Sequence, residues 1–138
     1  MTSVDILAIG AHPDDMELIC GGTLIRAQML GRRTAILDLS AGELGSRGTR
    51  EVRALEADRA AKVMAVSVRE NLGLPDGGIL NTPETRASLA LAIRRLKPSV
   101  VITHSLHGRH PDHPVVAQLA RDACFVAGLK KVEPSTPA

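Results

Sequence analysis

The 138-residue sequence has no tryptophan, no tyrosine and one phenylalanine, Phe125. Aromatic side chains supply much of the buried area in ordinary cores and in sugar-binding walls, so this core has to be assembled from small and branched aliphatics. Cysteine is scarce too: Cys20 and Cys124 lie far apart in apolar, helix-like surroundings. They read as reduced core residues, with a disulfide between them the minor alternative. No apolar run reaches the roughly 18 residues of a membrane-spanning helix. The first residues run straight into a strand-like segment, without the basic, apolar and small-residue order of a signal peptide. A cytoplasmic protein is expected. Charge of one sign is also missing: 17 Lys and Arg stand against 15 Asp and Glu, a net +2. No long-range attraction to nucleic acid or to an anionic membrane follows from that balance. With 44% hydrophobic residues the chain can bury a core, and neither repeat nor linker divides it.

What is present alternates between two periodicities. Val4 to Gly10 (VDILAIG) is a short apolar run that reads as a buried strand. Met16 to Leu30 reads as a helix with Leu18, Ile19, Gly22, Ile25, Ala27 and Met29 in its apolar content, closed by Gly31. Arg33 to Leu39 is a second strand, followed by a glycine-containing loop from Ser40 to Gly48. Thr49 caps a charged helix running to about Val66. Val68 to Leu72 is a weaker strand, and Pro75-Asp76-Gly77-Gly78 is a turn by composition. Thr82-Pro83 starts a helix with the stripe Leu89, Ile93 and Leu96, which Lys97-Pro98 stops. Ser99 to His104 is a fourth strand. A loop to His113 leads to a last helix, opened by Pro114 and carrying Val115, Val116, Leu119, Ala120, Ala123 and Phe125 on or near its buried face. The order β-α-β-α-β-α-β-α predicts an α/β, Rossmann-like three-layer fold with a mainly parallel sheet.

In such sheets ligands bind beyond the carboxyl ends of the strands, where strand order reverses. For the order 3-2-1-4, strands 1 and 4 flank that point. The segments directly after them, Ala11-His12-Pro13-Asp14-Asp15 and His107 to His113, hold the richest collection of His and Asp in the chain. Imidazole plus carboxylate is the donor set of zinc or ferrous iron. His12, Asp15 and His113 supply two nitrogens and one oxygen, leaving Asp14 and His110 beside an open position to move protons. Each segment alone has a plainer reading. Asp14 or Asp15 is also a suitable helix cap, and a histidine-rich loop is also a polar surface. Two His and one carboxylate also describe non-haem iron oxygenases, although no co-substrate motif accompanies them here. No G-x-G-x-x-G follows the first strand, so Gly21-Gly22 reads as a site of close helix–sheet packing. Arg53 and Arg109 suit an anionic or hydroxyl-rich substrate; the plain alternative for Arg53 is a solvated helix face.

Ala11-His12-Pro13-Asp14-Asp15, Gly21-Gly22-Thr23 and His110-Pro111-Asp112-His113 together resemble the LmbE-like/PIG-L family of zinc-dependent N-acetylglucosamine deacetylases. Val68 to Gly78, Gly108-Arg109 and Ala127 to Lys131 resemble its bacillithiol-biosynthesis branch, which acts on N-acetylglucosaminyl-malate. The resemblance runs from Val4 to about Val132. It implies a Rossmann-like hydrolase that releases acetate and a free amino sugar, with Zn2+ (or Fe2+) held by His12, Asp15 and His113. It implies Asp14 as general base, His110 as the group stabilising the oxyanion and Asp112 as the residue holding His110. Arg53 becomes a sugar contact and Arg109 a contact to the malate carboxylates. His104 and His107 are not carried over. A homo-oligomer is implied as well. Members of the family usually continue for several dozen residues more, adding strands, the far pocket wall and another histidine. The chain is thus expected to be the N-terminal part of the family domain over residues 1–132, with a disordered tail over 133–138. A metal-binding but inactive fragment, or a sugar-binding module, is the alternative expectation.

Overall fold

A computed structural model describes residues 3–132; the expected tail at 133–138 lies outside them. The elements are β1 (Ile6–Gly10), α1 (Asp15–Met29), β2 (Thr34–Ser40), α2 (Arg50–Val63), β3 (Val68–Leu74), α3 (Pro83–Leu96), β4 (Val100–Ile102) and α4 (Asp112–Ala127). The strands form one four-stranded sheet in the order β3-β2-β1-β4, and every pairing is parallel. This is the expected α/β alternation, with the order reversal between β1 and β4.

Alternation along the central strands sorts the core into two layers. Leu7, Ile9, Ala35, Leu37 and Leu39 face α3 and α4, together with Leu89, Leu96, Val116 and Leu119. Ala8 and Ile36 point to the opposite side, against Met16, Cys20 and Leu24 of α1 and Met64 at the end of α2. Alanines fill the place of missing aromatics: Ala90, Ala92, Ala120, Ala123 and Ala127 are buried in the first layer. The Thr49 cap is realised, its side chain accepting the Val52 amide. Thr82 forms a capping box with Thr85, and Pro83 opens α3. Cys20 is buried, Cys124 is half-buried, and both are free thiols.

Several expectations are corrected. Phe125 is 73% exposed, because the inward side of α4 runs through Val116, Ala120, Ala123 and Ala127 and Phe125 lies between its rows. On α1 the buried stripe is Met16, Cys20, Leu24 and Ala27, so Leu18, Ile19, Ile25 and Met29 face outward. One helix face meets the sheet, and apolar residues on a second face find nothing among the described residues to pack on. Gly22 is exposed with open space where a Cβ would stand, so it mediates no close packing; Gly21 is buried, and a Cβ there would lie 3.7 Å from the Met64 sulfur. The last helix begins at Asp112 rather than Pro114, which puts Asp112 and His113 in its first turn. Proline is tolerated there, since the first amides of a helix have no intrahelical acceptor. Among the described residues, no helix is long and apolar enough to cross a membrane.

Candidate metal and catalytic site

The carboxyl ends of β2, β1 and β4 are tied together through backbone and side chain. Ser40 at the end of β2 donates to the Ala11 carbonyl from both its amide, 3.0 Å, and its hydroxyl, 2.8 Å. Thr103 donates its hydroxyl to the Ile9 carbonyl at 2.9 Å. The β1–α1 turn then folds on itself: the His12 amide donates to Asp15 Oδ2 at 2.9 Å. Asp14, between them, takes φ 135°, a conformation that L-residues other than Asn, Asp and Gly rarely adopt. Its side chain makes no capping bond to α1, so capping does not explain its presence. Burial, and then the neighbouring Asp15, push its carboxyl above the usual aspartate range.

Asp15 Oδ2 is the meeting point of the site. It lies 3.2 Å from His12 Nδ1, 3.2 Å from His113 Nε2 and 3.4 Å from His104 Nε2. Burial pushes the Asp15 carboxyl up, but the imidazoles of His104 and His12 around it hold it well below the usual carboxylate range. Burial also disfavours the charged form of His12. There the carboxylates of Asp15 and Asp112, with Asp76 beside them, outweigh it and raise the imidazole to about 9. His113 moves the other way: burial lowers it, which favours the neutral ring with a free lone pair. Its Nε2 is buried and makes no hydrogen bond among the described residues.

The three expected metal ligands are thus brought together, from the β1–α1 turn and from the first turn of α4. Donor atoms also converge, all within 4.8 Å of one another, in three overlapping sets: His12 with His110 and His113, Asp15 with His104 and His113, and His12 with Asp76 and Asp112. The nitrogen and oxygen donors and the unbonded buried Nε2 of His113 fit a divalent zinc or ferrous ion.

The other expected residues divide. Asp14, Arg53, Arg109, His110 and the three ligands line one cleft of about 410 Å³, with Leu44, Gly45, Asp76 and Gly77 completing its wall. The expectation that Asp112 holds His110 is corrected in its atoms. The Asp112 carboxylate bonds His12 Nε2 and the Gly77 amide, each at 2.9 Å. It is the Asp112 amide that donates to His110 Nδ1, at 3.1 Å. A ring nitrogen that accepts carries no hydrogen, so His110 presents Nε2–H as its donor. Arg53 is not a solvated face residue. Its guanidinium donates to the carbonyls of Gly42, 2.7 Å, and Pro13, 2.9 Å, and stands 3.4 Å from Asp14. It straps the glycine loop to the β1–α1 turn.

Gly42 makes that strap possible: φ is +64°, and a Cβ there would lie 1.9 Å from Arg53 Nη1. Gly42→Ala is therefore expected to displace Arg53 and to cost about 1–3 kcal/mol. Urea unfolding measures this, and an unchanged midpoint would refute the strap.

Two participants escaped the sequence reading. His104 is buried beside Asp15 and stacks on His113, with ring centroids 4.0 Å apart. The usable signal was its place at the end of the strand next to β1. Asp76 Oδ1 lies 3.0 Å from His12 Nε2, while Oδ2 accepts the Leu44 amide. An aspartate in a Pro-Asp-Gly-Gly turn carries no local signal of that role. His107 is exposed and is absent from the cleft wall.

Comparison with known proteins places the chain in a family. The family model described as GlcNAc-PI de-N-acetylase, PIG-L, matches residues 7–124. The chain is 28% identical over 165 residues to 1D-myo-inositol 2-acetamido-2-deoxy-alpha-D-glucopyranoside deacetylase of Nocardiopsis dassonvillei, covering 95% of this chain and 58% of that protein. Among solved structures it is similar to the conserved protein TT1542 from Thermus thermophilus, with TM-score 0.91 and 48% identity over 94% of this chain and 59% of that one. It is also similar to GalB, the 4-carboxy-2-hydroxymuconate hydratase of Pseudomonas putida, with TM-score 0.85 and 28% identity over 99% of this chain and 61% of that one. The chain therefore spans about three fifths of the length of these relatives. A parallel sheet in the order β3-β2-β1-β4, an aspartate and two histidines gathered where that order reverses, and a family match running from β1 into α4 agree: the chain belongs to the PIG-L family.

Proposed function

We propose that this chain carries the metal-binding and proton-transfer part of an N-deacetylase acting on a 2-acetamido-2-deoxyglucoside. The observation that carries the reading is the convergence of His12 Nδ1 and His113 Nε2 on Asp15 Oδ2 inside the cleft that also holds Asp14 and His110. Zinc, or ferrous iron, held by His12, Asp15 and His113 would supply Lewis acidity toward the amide carbonyl and the attacking water. Asp14, with its side chain 61% exposed at the cleft, takes the proton from that water as the carbon–oxygen bond forms. The His110 Nε2–H donates to the developing oxyanion, an interaction worth roughly 3–4 kcal/mol in comparable sites. Asp14 then returns the proton to the nitrogen as the C–N bond breaks, giving acetate and a free amino sugar. Arg53 keeps the Asp14 turn in place. Arg109 at the cleft wall offers a guanidinium to an anionic aglycone, which favours N-acetylglucosaminyl-malate over a neutral inositol glycoside.

Zinc content of the purified chain, with His113→Ala beside it, tests the reading first. One zinc per chain that the variant loses supports it; zinc unaffected by the variant removes His113 from the ligand set. Acetate release is then measured on the malate and inositol glycosides side by side, and a preference for inositol would overturn the role given to Arg109. Water addition to a carbon–carbon double bond, without acetate release, would instead align the chain with its hydratase neighbour.

A further inference from the structure

Of the histidines between 104 and 113, His104 alone is buried, at 7% exposure, two residues past β4. Its Nε2 accepts the backbone N–H of Ala11 at 3.0 Å. The face of the same ring lies on His113, with centroids 4.0 Å apart and planes inclined by 13°. Its Nε2 is also 3.4 Å from Asp15 Oδ2. The next amide along the chain, that of His12, donates to Asp15. Consecutive amides of the β1–α1 turn thus run to side chains from two different elements, one beyond β4 and one on α1. His113 arrives separately, on α4, and its ring meets the His104 face.

We propose that His104 is a positioning residue that sets the distance between the His12–Asp15 pair and His113. The proposal rests on the metal-ligand reading above. The two contacts use different parts of one imidazole: the Nε2 lone pair holds the turn that carries His12, and the ring face holds His113. Partners that orient metal ligands in this way typically change metal affinity by about 10–100-fold when removed.

Because the contacts are separate, substitutions can take them away one at a time. His104→Gln keeps an acceptor near the Nε2 position and removes the ring. His104→Phe keeps a flat face and removes the acceptor. His104→Ala removes both. Three quantities are read: hydrogen exchange of the Ala11 amide and ring-proton shifts of His113 by NMR in metal-free protein, Co2+ affinity with its visible absorption, and acetate release by the zinc-loaded chain. In His104→Phe the Ala11 amide should exchange faster while the His113 ring shifts stay near wild type. His104→Gln should show the reverse. His104→Ala should weaken Co2+ by about 10–100-fold and alter its absorption.

If His104→Ala does not fold, the Gln and Phe variants carry the test, each expected to weaken Co2+ while disturbing only its own contact. Variants that bind Co2+ with wild-type affinity and absorption overturn the proposal, as does an Ala11 amide that stays protected in His104→Phe. A wild type that takes up no Co2+ overturns the metal-ligand reading itself, and this proposal with it. A wild type that binds Co2+, with weakened variants but no acetate release, leaves His104 as a positioning residue and overturns the deacetylase reading alone.

Discussion

Asp14→Gly is expected to lose acetate release by about 10²–10⁴-fold and yet to melt at a higher temperature than the parent chain. The two effects come from different parts of the residue. Its carboxylate is the proposed base, and its backbone sits at φ 135°, ψ −24°, a region that costs a side-chain-bearing residue about 1–3 kcal/mol. Glycine enters that region without a Cβ penalty. Little is lost in return: the side chain caps nothing, its carboxylate is 61% exposed and 3.4 Å from Arg53, and Arg53 keeps its bonds to the Gly42 and Pro13 carbonyls without it. A net gain of roughly 1 kcal/mol corresponds to a rise in Tm of about 3–5 °C for a domain of this size. Zinc binding should persist, because His12, Asp15 and His113 are untouched. Asp14→Asn separates the terms, since Asn tolerates positive φ and cannot act as the base; it should lose turnover without the gain in Tm. Retained turnover in either variant would place the base elsewhere, and a lower Tm in Asp14→Gly would show that the turn stores no strain.

Arg69→Met should produce the largest loss of stability. Arg69 donates from Nε to Asp38 Oδ2 at 2.9 Å, and from Nη2 to Asp38 Oδ1 at 3.2 Å and Glu17 at 3.0 Å. Its Nη1 donates to the Ala57 carbonyl at 3.2 Å. It therefore binds β3 to β2, α1 and α2 under the β1–α1 turn. The side chains of Arg69 and Asp38 are only 8% and 3% exposed. Removing one partner of a buried pair leaves a charge without compensation and costs about 3–5 kcal/mol, a large share of the roughly 5–15 kcal/mol that holds a domain together.

The deficit should depend on pH in a defined sense. Burial already lifts the Asp38 carboxyl above its ordinary value, against the opposing guanidinium. Without Arg69 that lift grows, and the native state binds a proton at pH values where the unfolded chain has released it. Stability of the variant then falls as pH rises through the folded-state value and recovers below it. Urea unfolding at pH 5 and pH 8 measures this, and a deficit larger at pH 5 would contradict it. Asp38→Asn combined with Arg69→Met should recover much of the loss, because the buried charge is gone.

How much of this was legible in residue order differs from element to element. β1 and β2 were readable because each is apolar on both faces, the pattern of a central parallel strand. α3 was readable at both ends, where Thr82-Pro83 and Lys97-Pro98 are local stereochemical instructions. The start of α4 was misread because Pro114 looked like the first helical residue, whereas the first turn lacks intrahelical acceptors and admits proline deeper in. Phe125 was misjudged, and the outward position of Leu18 and Met29 was not readable, because hydrophobicity reports a tendency to be buried and not which helix face meets the sheet. The metal-ligand candidates His12, Asp15 and His113 were legible, since chemistry and strand-end position selected the same residues. Asp76 was not: its site contact spans a separation of 64 positions and begins in a turn whose composition only says turn.

Residue order by itself determined the alternation of strands and helices, the parallel sheet, the family and the place of the site. The alternation and the sheet follow from local periodicity, capping and the rule that right-handed crossovers bring strand ends to one edge; the family follows from the resemblance carried by Ala11 to Asp15 and His110 to His113. Tertiary structure alone decided which atoms meet. It placed the Asp112 carboxylate on His12 rather than His110, turned Arg53 into a strap between two loops, and set the buried face of His104 against His113. Those pairings depend on differences of a few tenths of an ångström in the separation of segments far apart in the chain. Such distances are set by the packing of whole layers and leave no trace in local pattern.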